Sequence, residues 1–284
     1  MADQYTVDKE TGGDYAPDLY KPAGNVPSIG SLDEIDSVVL QAYEQLGCIS
    51  VENVFTPQEV QAGIDGLAHL VIGGNPDFHE VQFETWAADR LDQMDALQRV
   101  DAVRKLMYFT RYDARLKAMA THPRLLQVIE TILGEKPRMF QDMALLKPPY
   151  GGREKPWHQD KAYFDFSLDT KMVGVWIALD EATAENGCMH VILGSHREGP
   201  AIHFRRRDWQ ICDTDMLGRT CAVAPLKPGG ALIFDGLIYH GTPRNNSASR
   251  RRALQFHYAP ASVVETSKEE RLRIFGSEGK DVTC

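Results

Sequence analysis

The chain has 284 residues, 43% of them hydrophobic and 25% charged, with a formal net charge of −9, a balance that provides ample core for one globular domain with decorations. The acidity is diffuse, which argues against a nucleic-acid partner or a membrane surface, and no apolar run approaches the ~20 residues of a membrane span. Cys48, Cys188, Cys212, Cys221 and Cys284 contain no C-x-x-C pair and are odd in number, a poor disulfide framework that suits a reducing setting. Met1-Ala-Asp-Gln-Tyr-Thr lacks the features of a secretory signal, and Asp281-Val-Thr-Cys284 matches no targeting or lipidation signal, so a cytoplasmic location is the expectation.

Residues 1–30 are polar and rich in Gly, Pro, Asp and Tyr without period, and read as a flexible or surface-hugging arm. Ser31-Leu-Asp-Glu34 has the form of a capping box opening an amphipathic helix to about Leu46, which Gly47 ends. Cys48 to Phe55 alternates as a strand, and Thr56-Pro-Gln-Glu59 is a second capping box, launching a helix to about Ile72. From Phe83 to Gly134 the apolar spacing is mostly helical.

The period changes after Pro137. Arg138–Leu146, Val173–Leu179, Cys188–Leu193, Thr220–Pro225, Ala231–Asp235 and Ala253–Tyr258 read as short strands between Gly, Pro, Asn and Ser turns, the mark of a β-sandwich or barrel. Asn186-Gly187 reads as a hairpin turn. The polar stretch 200–219, with Arg205-Arg206-Arg207 and Trp209, is long enough to expect a lid. The organisation expected is thus a single domain over 31–262, helices 31–134 buttressing a β core 136–260, with a charged tail over 263–284.

Within the β half, Pro156-Trp-His-Gln-Asp160 places His158 and Asp160 two residues apart, on one face if the segment is a strand. Leu232-Ile-Phe-Asp-Gly-Leu-Ile-Tyr-His-Gly241 brings a second histidine, His240, to the end of an apolar strand. Two His and one carboxylate on one face, with other positions open, form the ligand set of non-haem Fe(II) oxygenases. Arg251 opens the following strand, and its forked guanidinium suits a planar carboxylate such as that of a 2-oxo acid co-substrate. Gln141 lies on a strand expected to face the pocket. His190 and His257 read as ordinary strand residues, His196 as part of a loop, and Trp157 as packing beside the site.

Several blocks in order carry a family resemblance: Trp157-His-Gln-Asp160, Gly174-Val-Trp-Ile-Ala-Leu-Asp180, Glu185-Asn-Gly-Cys188, Leu193-Gly-Ser-His196, Pro228-Gly229, His240-Gly-Thr242 and Arg251-Arg-Ala253. Together they resemble the phytanoyl-CoA dioxygenase family of Fe(II)/2-oxoglutarate oxygenases over about residues 138–260. The resemblance implies a double-stranded β-helix (a jelly-roll, cupin-like core) flanked by helices, with His158, Asp160 and His240 as iron ligands and Arg251 anchoring 2-oxoglutarate. It further implies that Thr242 adds a hydroxyl to the same carboxylate, that Trp176 lines the pocket, and that Lys105 makes another basic contact.

The reaction expected is hydroxylation or desaturation of a small-molecule C–H bond using O2 and 2-oxoglutarate, with release of succinate and CO2. Arg153, Lys155 and Lys161 flank the first ligands, which with Arg205–Arg207 suggests an anionic substrate. Two other readings use the same triad: a Zn²⁺ hydrolase or isomerase with metal-bound water as nucleophile, and a non-catalytic metal-binding relative.

Overall fold

The computed structural model describes residues 6, 7 and 13–276 of the chain. The two terminal segments Met1–Tyr5 and Asp281–Cys284, on which the targeting expectations rest, lie outside the described residues. In chain order the elements are β1 (Thr6–Val7), β2 (Pro22–Asn25), β3 (Ser28–Ser31), α1 (Ser37–Leu46), β4 (Cys48–Asn53), α2 (Pro57–Val71), β5 (Val81–Phe83), α3 (Ala96–Ala102) and β6 (Val103–Met107). There follow α4 (Ala114–Ala120), α5 (Pro123–Leu133), β7 (Pro137–Lys147), β8 (Lys155–His158), β9 (Val173–Ala178), β10 (Met189–Val191), β11 (His203–Arg205) and β12 (Trp209–Ile211). The chain closes with α6 (Asp213–Met216), β13 (Cys221–Ala224), β14 (Ala231–Asp235), β15 (His240–Thr242), β16 (Arg251–Pro260) and α7 (Lys268–Phe275).

Two sheets build the core. The major sheet runs β1-β5-β6-β7-β16-β9-β14-β4-β3 and the minor one β2-β13-β10-β15-β8, with β11 and β12 as a separate ribbon. Successive strands of the second half change sheets, as β14 to β15 and β9 to β10 do, which gives the jelly-roll its two packed layers. The strand faces turned toward helices α2, α4 and α5 carry one apolar cluster, including Val175, Ile177, Ile233, Leu254 and Phe256. A second cluster, with Trp176, Met189, Val191 and Leu232, fills the space between the sheets.

Local signals explain several boundaries. Thr56 caps α2 reciprocally: its hydroxyl accepts from Glu59 N at 3.3 Å and Glu59 Oε2 accepts from Thr56 N at 2.8 Å. Gly47 ends α1 at φ 81°, the left-handed conformation that glycine adopts without penalty.

Elsewhere the expectations need correction. Ser31 does not cap a helix, because Ser28–Ser31 is a strand paired with β4; a single 3-10 turn follows, and α1 starts at Ser37 with Asp36 accepting from Val38 N and Val39 N. The arm expected through residue 30 is built into the fold from residue 13 onward. Leu19 and Tyr20 are buried, β2 pairs with β13, and the Tyr20 ring stacks on Trp157 at 5.3 Å, because the apolar residues of that segment find a surface waiting. The mostly helical stretch after Phe83 contains strand β6, paired with β5 and β7. Asn186-Gly187 is no hairpin, since β9 and β10 lie in different sheets; the Asn186 side chain instead pins the crossing to Thr183 N and Glu181 O. Of the tail, α7 packs inward through Phe275, which is buried.

Among the described residues no helix is long and apolar enough to cross a membrane. Cys48, Cys188, Cys212 and Cys221 are free and buried, and burial pushes the thiols of Cys48, Cys188 and Cys221 up to about 12, so they stay protonated.

Candidate active site

A cavity of about 520 Å³ opens between the two sheets, with His158, Asp160, His240, Thr242, Arg251, Gln141 and Lys105 all on its wall. The minor sheet supplies the two histidines. β8 and β15 pair antiparallel with His158 opposite His240, which sets the two rings 4.2 Å apart at their centroids. Gly241, between His240 and Thr242, is closely packed: a Cβ there would sit 3.0 Å from Lys155 O and 3.2 Å from Trp157 N, so the backbone of β8 would have to give way. Asp160 is not on the strand, as the i, i+2 argument requires; β8 ends at His158 and Asp160 begins a 3-10 turn that swings its carboxylate back between the rings.

The tautomers follow from the backbone. His158 Nδ1 lies 2.7 Å from Pro156 O, and His240 Nδ1 lies 3.0 Å from Ile238 O. A carbonyl accepts only, so each ring carries its proton on Nδ1 and turns an unprotonated Nε2 inward. Burial, reinforced by the neighbouring His240, lowers His158 to about 4 and keeps it neutral. Burial opposes ionisation of Asp160, but the neighbouring imidazoles, His240 foremost and then His257, outweigh it and hold the carboxyl well below the ordinary carboxylate range. Asp160 Oδ1 is 3.2 Å from His158 Nε2 and 3.4 Å from His240 Nε2. Three acceptors thus converge with no donor among them, and the ligand atoms of the triad all lie within 4.8 Å of one another. Such a donor set fits a divalent cation with open positions.

The major sheet supplies the other wall through β16. Arg251 is 1% exposed; its Nη1 donates to Leu145 O at 3.0 Å, while its Nε–H is buried without a partner among the described residues. Burial lowers Arg251 to about 10, which leaves it charged at neutral pH. An orphaned guanidinium N–H beside the triad is what a planar carboxylate would satisfy. Trp176 does not line the cavity; it lies beneath Arg251, its ring 5.3 Å from the guanidinium carbon. Gln141 Oε1 is buried without a partner, and Lys147, fully buried, is spent on the carbonyls of Arg153, Thr242 and Pro243.

The basic residues singled out by sequence separate clearly. Arg153 and Lys155 line the cavity, joined by Arg104 and Lys105 of β6. Lys161 is buried elsewhere, its ammonium donating to Leu168 O and Thr170 O. Arg205 and Arg206 are not on the wall, and Arg207 is buried between Glu154 and Asp213. The 200–219 segment forms wall rather than a loose loop: Trp209, Ile211 and Met216 are buried, and Asp208 reaches the cavity to accept from Lys155 at 2.7 Å. Tyr163 accepts from the same ammonium at 2.9 Å, its ring edge-on to His158. His196 is remote from the triad, its Nε2 3.0 Å from Glu44 O.

Sequence reasoning missed Gln255 and His257. Both touch Asp160 Oδ2, at 2.9 Å and 2.7 Å. The available signal was that Arg251, Gln255 and His257 share one face of β16, opposite the apolar Leu254, Phe256 and Tyr258.

Comparison with known proteins places this geometry. The profile of the family described as "Phytanoyl-CoA dioxygenase (PhyH)" matches residues 43–253, well over half the chain. Phytanoyl-CoA dioxygenase domain-containing protein 1 of Danio rerio is 28% identical over 170 residues, 57% of this chain and 58% of that protein, so the chain spans only a little over half the length of that relative. Among solved structures, EvdO2 from Micromonospora carbonacea var. aurantiaca superposes with a TM-score of 0.66 at 25% identity, covering 86% of this chain and 98% of that one. EvdO2 has also been crystallised with 2-oxoglutarate. The epimerase SnoN, solved in complex with Fe3+, alpha ketoglutarate and nogalamycin RO, has a TM-score of 0.65 at 19% identity, covering 82% of this chain and 88% of its own. With the profile spanning both sheets, the triad and Arg251, the chain belongs to the phytanoyl-CoA dioxygenase family of Fe(II)/2-oxoglutarate-dependent oxygenases.

Proposed function

We propose that this protein hydroxylates or desaturates a C–H bond of an anionic small molecule, consuming O2 and 2-oxoglutarate and releasing succinate and CO2. The observation that carries the reading is the pairing, in one cavity, of three converging metal-ligand lone pairs with a buried guanidinium that has an unmet N–H. His158, His240 and Asp160 would hold Fe(II), and Arg251 with Thr242 would take the distal carboxylate of 2-oxoglutarate. Bound together, Fe(II) and 2-oxoglutarate supply the O2 activation that no side chain can perform. The protein's own share is to orient, through Arg251 and the Nδ1-tethered histidines, and to exclude water between the sheets. A Zn²⁺ hydrolase on the same triad has no use for Arg251, and the EvdO2 and SnoN complexes support the oxygenase reading.

The test is anaerobic titration with Fe(II) and then 2-oxoglutarate, following the weak visible charge-transfer band that chelation produces. Wild type should develop the band and lose it on admission of O2, with succinate formed. Arg251→Ala should need roughly 10–100-fold more 2-oxoglutarate, since a charge-assisted hydrogen-bonded contact is worth about 1.5–3 kcal/mol. Metal binding without a band would favour the hydrolase or a silent scaffold; an unchanged requirement in Arg251→Ala would assign the anchor elsewhere.

For the substrate, charge on the wall supports an anion. With Asp160 and Arg251 held for metal and 2-oxoglutarate, Lys147 spent on backbone carbonyls, Lys155 paired with Asp208 and Glu154 engaged by Arg207, the wall still carries Arg104, Lys105 and Arg153. Glu84 lies near both Arg104 and Arg153, at 4.0 and 3.7 Å, and offsets one of these three charges, which still leaves this side net positive. Succinate release should therefore be driven by carboxylate- or phosphate-bearing compounds and fall at least about tenfold for their neutral amides or esters, one lost ionic hydrogen bond being worth that much. Equal turnover of charged and neutral members of such pairs would remove the anionic assignment.

A further inference from the structure

The metal reading leaves unexplained why Asp160 has two of its neighbours on one oxygen only. Asp160 Oδ2 lies 2.7 Å from His257 Nε2 and 2.9 Å from Gln255 Nε2, while Oδ1 faces the two histidines of the triad. An ionised carboxylate only accepts, so the Gln255 amide donates and His257 carries its proton on Nε2. The 3.1 Å separation of those two nitrogens is then two donors crowding one acceptor.

We infer that Gln255 and His257 are positioning residues that claim one carboxylate oxygen of Asp160 and thereby present the other, alone, to the metal. The inference rests on the metal reading above and adds residues to it. Binding through both oxygens would require Oδ2 to give up two charge-assisted hydrogen bonds in a buried site. A one-oxygen Asp160 leaves a further position free for co-substrate and O2, which the family's chemistry needs. The clamp is rigid for identifiable reasons. Gln255 and His257 are 4% and 1% exposed. The imidazole is enclosed by the rings of Phe140, Phe164 and Phe234, at centroid distances of 5.9, 5.3 and 6.5 Å. Both residues sit on β16 in the phase of Arg251, between β7 and β9, so the strand that offers the guanidinium also aims the carboxylate. A slip of one residue would lose both together.

The test is Co(II) binding by calorimetry and visible spectroscopy, without co-substrate or O2, on wild type, His257→Phe, Gln255→Leu and His257→Gln. Phenylalanine suits the aromatic surroundings and removes the donor; glutamine keeps an N–H near the position of Nε2. The dissociation constant should rise roughly 10–100-fold in His257→Phe and Gln255→Leu, the usual cost of losing a partner behind a metal ligand, with recovery in His257→Gln. The d–d spectrum should change with the altered coordination. Wild-type affinity and spectrum in both folded variants would overturn the inference, as would a lowered melting temperature with unchanged affinity. Should His257→Phe not fold, Gln255→Leu decides. If wild type itself binds no Co(II), the metal reading fails and takes the clamp with it.

Discussion

Asp160→Ala and His158→Ala are each expected to abolish succinate formation while the protein stays folded. Loss of a group behind a metal ligand already costs about 10–100-fold, so loss of a ligand should exceed about 100-fold. The two substitutions fail differently. Asp160→Ala removes the only charge among the ligands and strands two buried donors, Gln255 and His257, so a stability loss of about 1–3 kcal/mol per unmet donor accompanies it, partly offset because no carboxylate is buried any longer. His158→Ala removes a neutral ring whose other nitrogen reaches only Pro156 O, at a cavity wall where water can enter. The measurements are metal affinity, single-turnover succinate yield and denaturant midpoint on the same preparations. Retained turnover in both variants would place the chemistry elsewhere in the chain.

Much of this site was legible because its parts are local or end on strong punctuation. His158 and Asp160 lie two residues apart behind a proline, and His240 precedes a glycine that close packing demands. Their convergence was inferred for a reason that proved incomplete: the carboxylate swings round on a 3-10 turn instead of sharing a strand face. The apolar run through His240 looked like one strand and is two, β14 in the major sheet and β15 in the minor, divided at Gly236, where a Cβ would lie 2.3 Å from Met172 Cε. What stayed hidden depends on partners distant in sequence. Strand β6 follows α3 without a breaker and alternates too briefly to be distinguished from helix; pairing with β5 and β7 decides it. Residues 22–31 have turn-forming composition and become strands because β13 and β4 offer edges. The clamp on Asp160 spans 95 and 97 positions of sequence, beyond any local pattern.

The run Arg205-Arg206-Arg207 shows the same limit and sets up the largest expected loss of stability. Read as sequence, the three arginines are equivalent; in the fold Arg205 and Arg206 are exposed, while Arg207 is buried and bracketed by two carboxylates. Its Nε donates to Glu154 Oε2 at 2.7 Å, its Nη1 to Asp213 Oδ2 at 2.5 Å, and its Nη2 to both residues. Side-chain exposure is 5% for Arg207 and 5% for Glu154, so neither charge has much water to fall back on. Arg207→Met should therefore cost about 3–5 kcal/mol, the penalty for leaving a buried charge uncompensated rather than the net worth of the bridge. Tyr20 OH, 2.6 Å from Glu154 Oε1, cannot neutralise the remaining carboxylate. Because Glu154 also lies on the cavity wall, the same substitution turns an unpaired negative charge toward the proposed anionic substrate, and KM for that substrate should rise with the instability. Adding Glu154→Gln removes the stranded charge, so the double variant should recover part of both losses. Urea midpoints for the two single variants and the double variant measure the coupling. A cost below about 1 kcal/mol for Arg207→Met, the range of exposed pairs, would mean that water reaches this cluster and that the 200–219 segment is held by Trp209, Ile211 and Met216 alone.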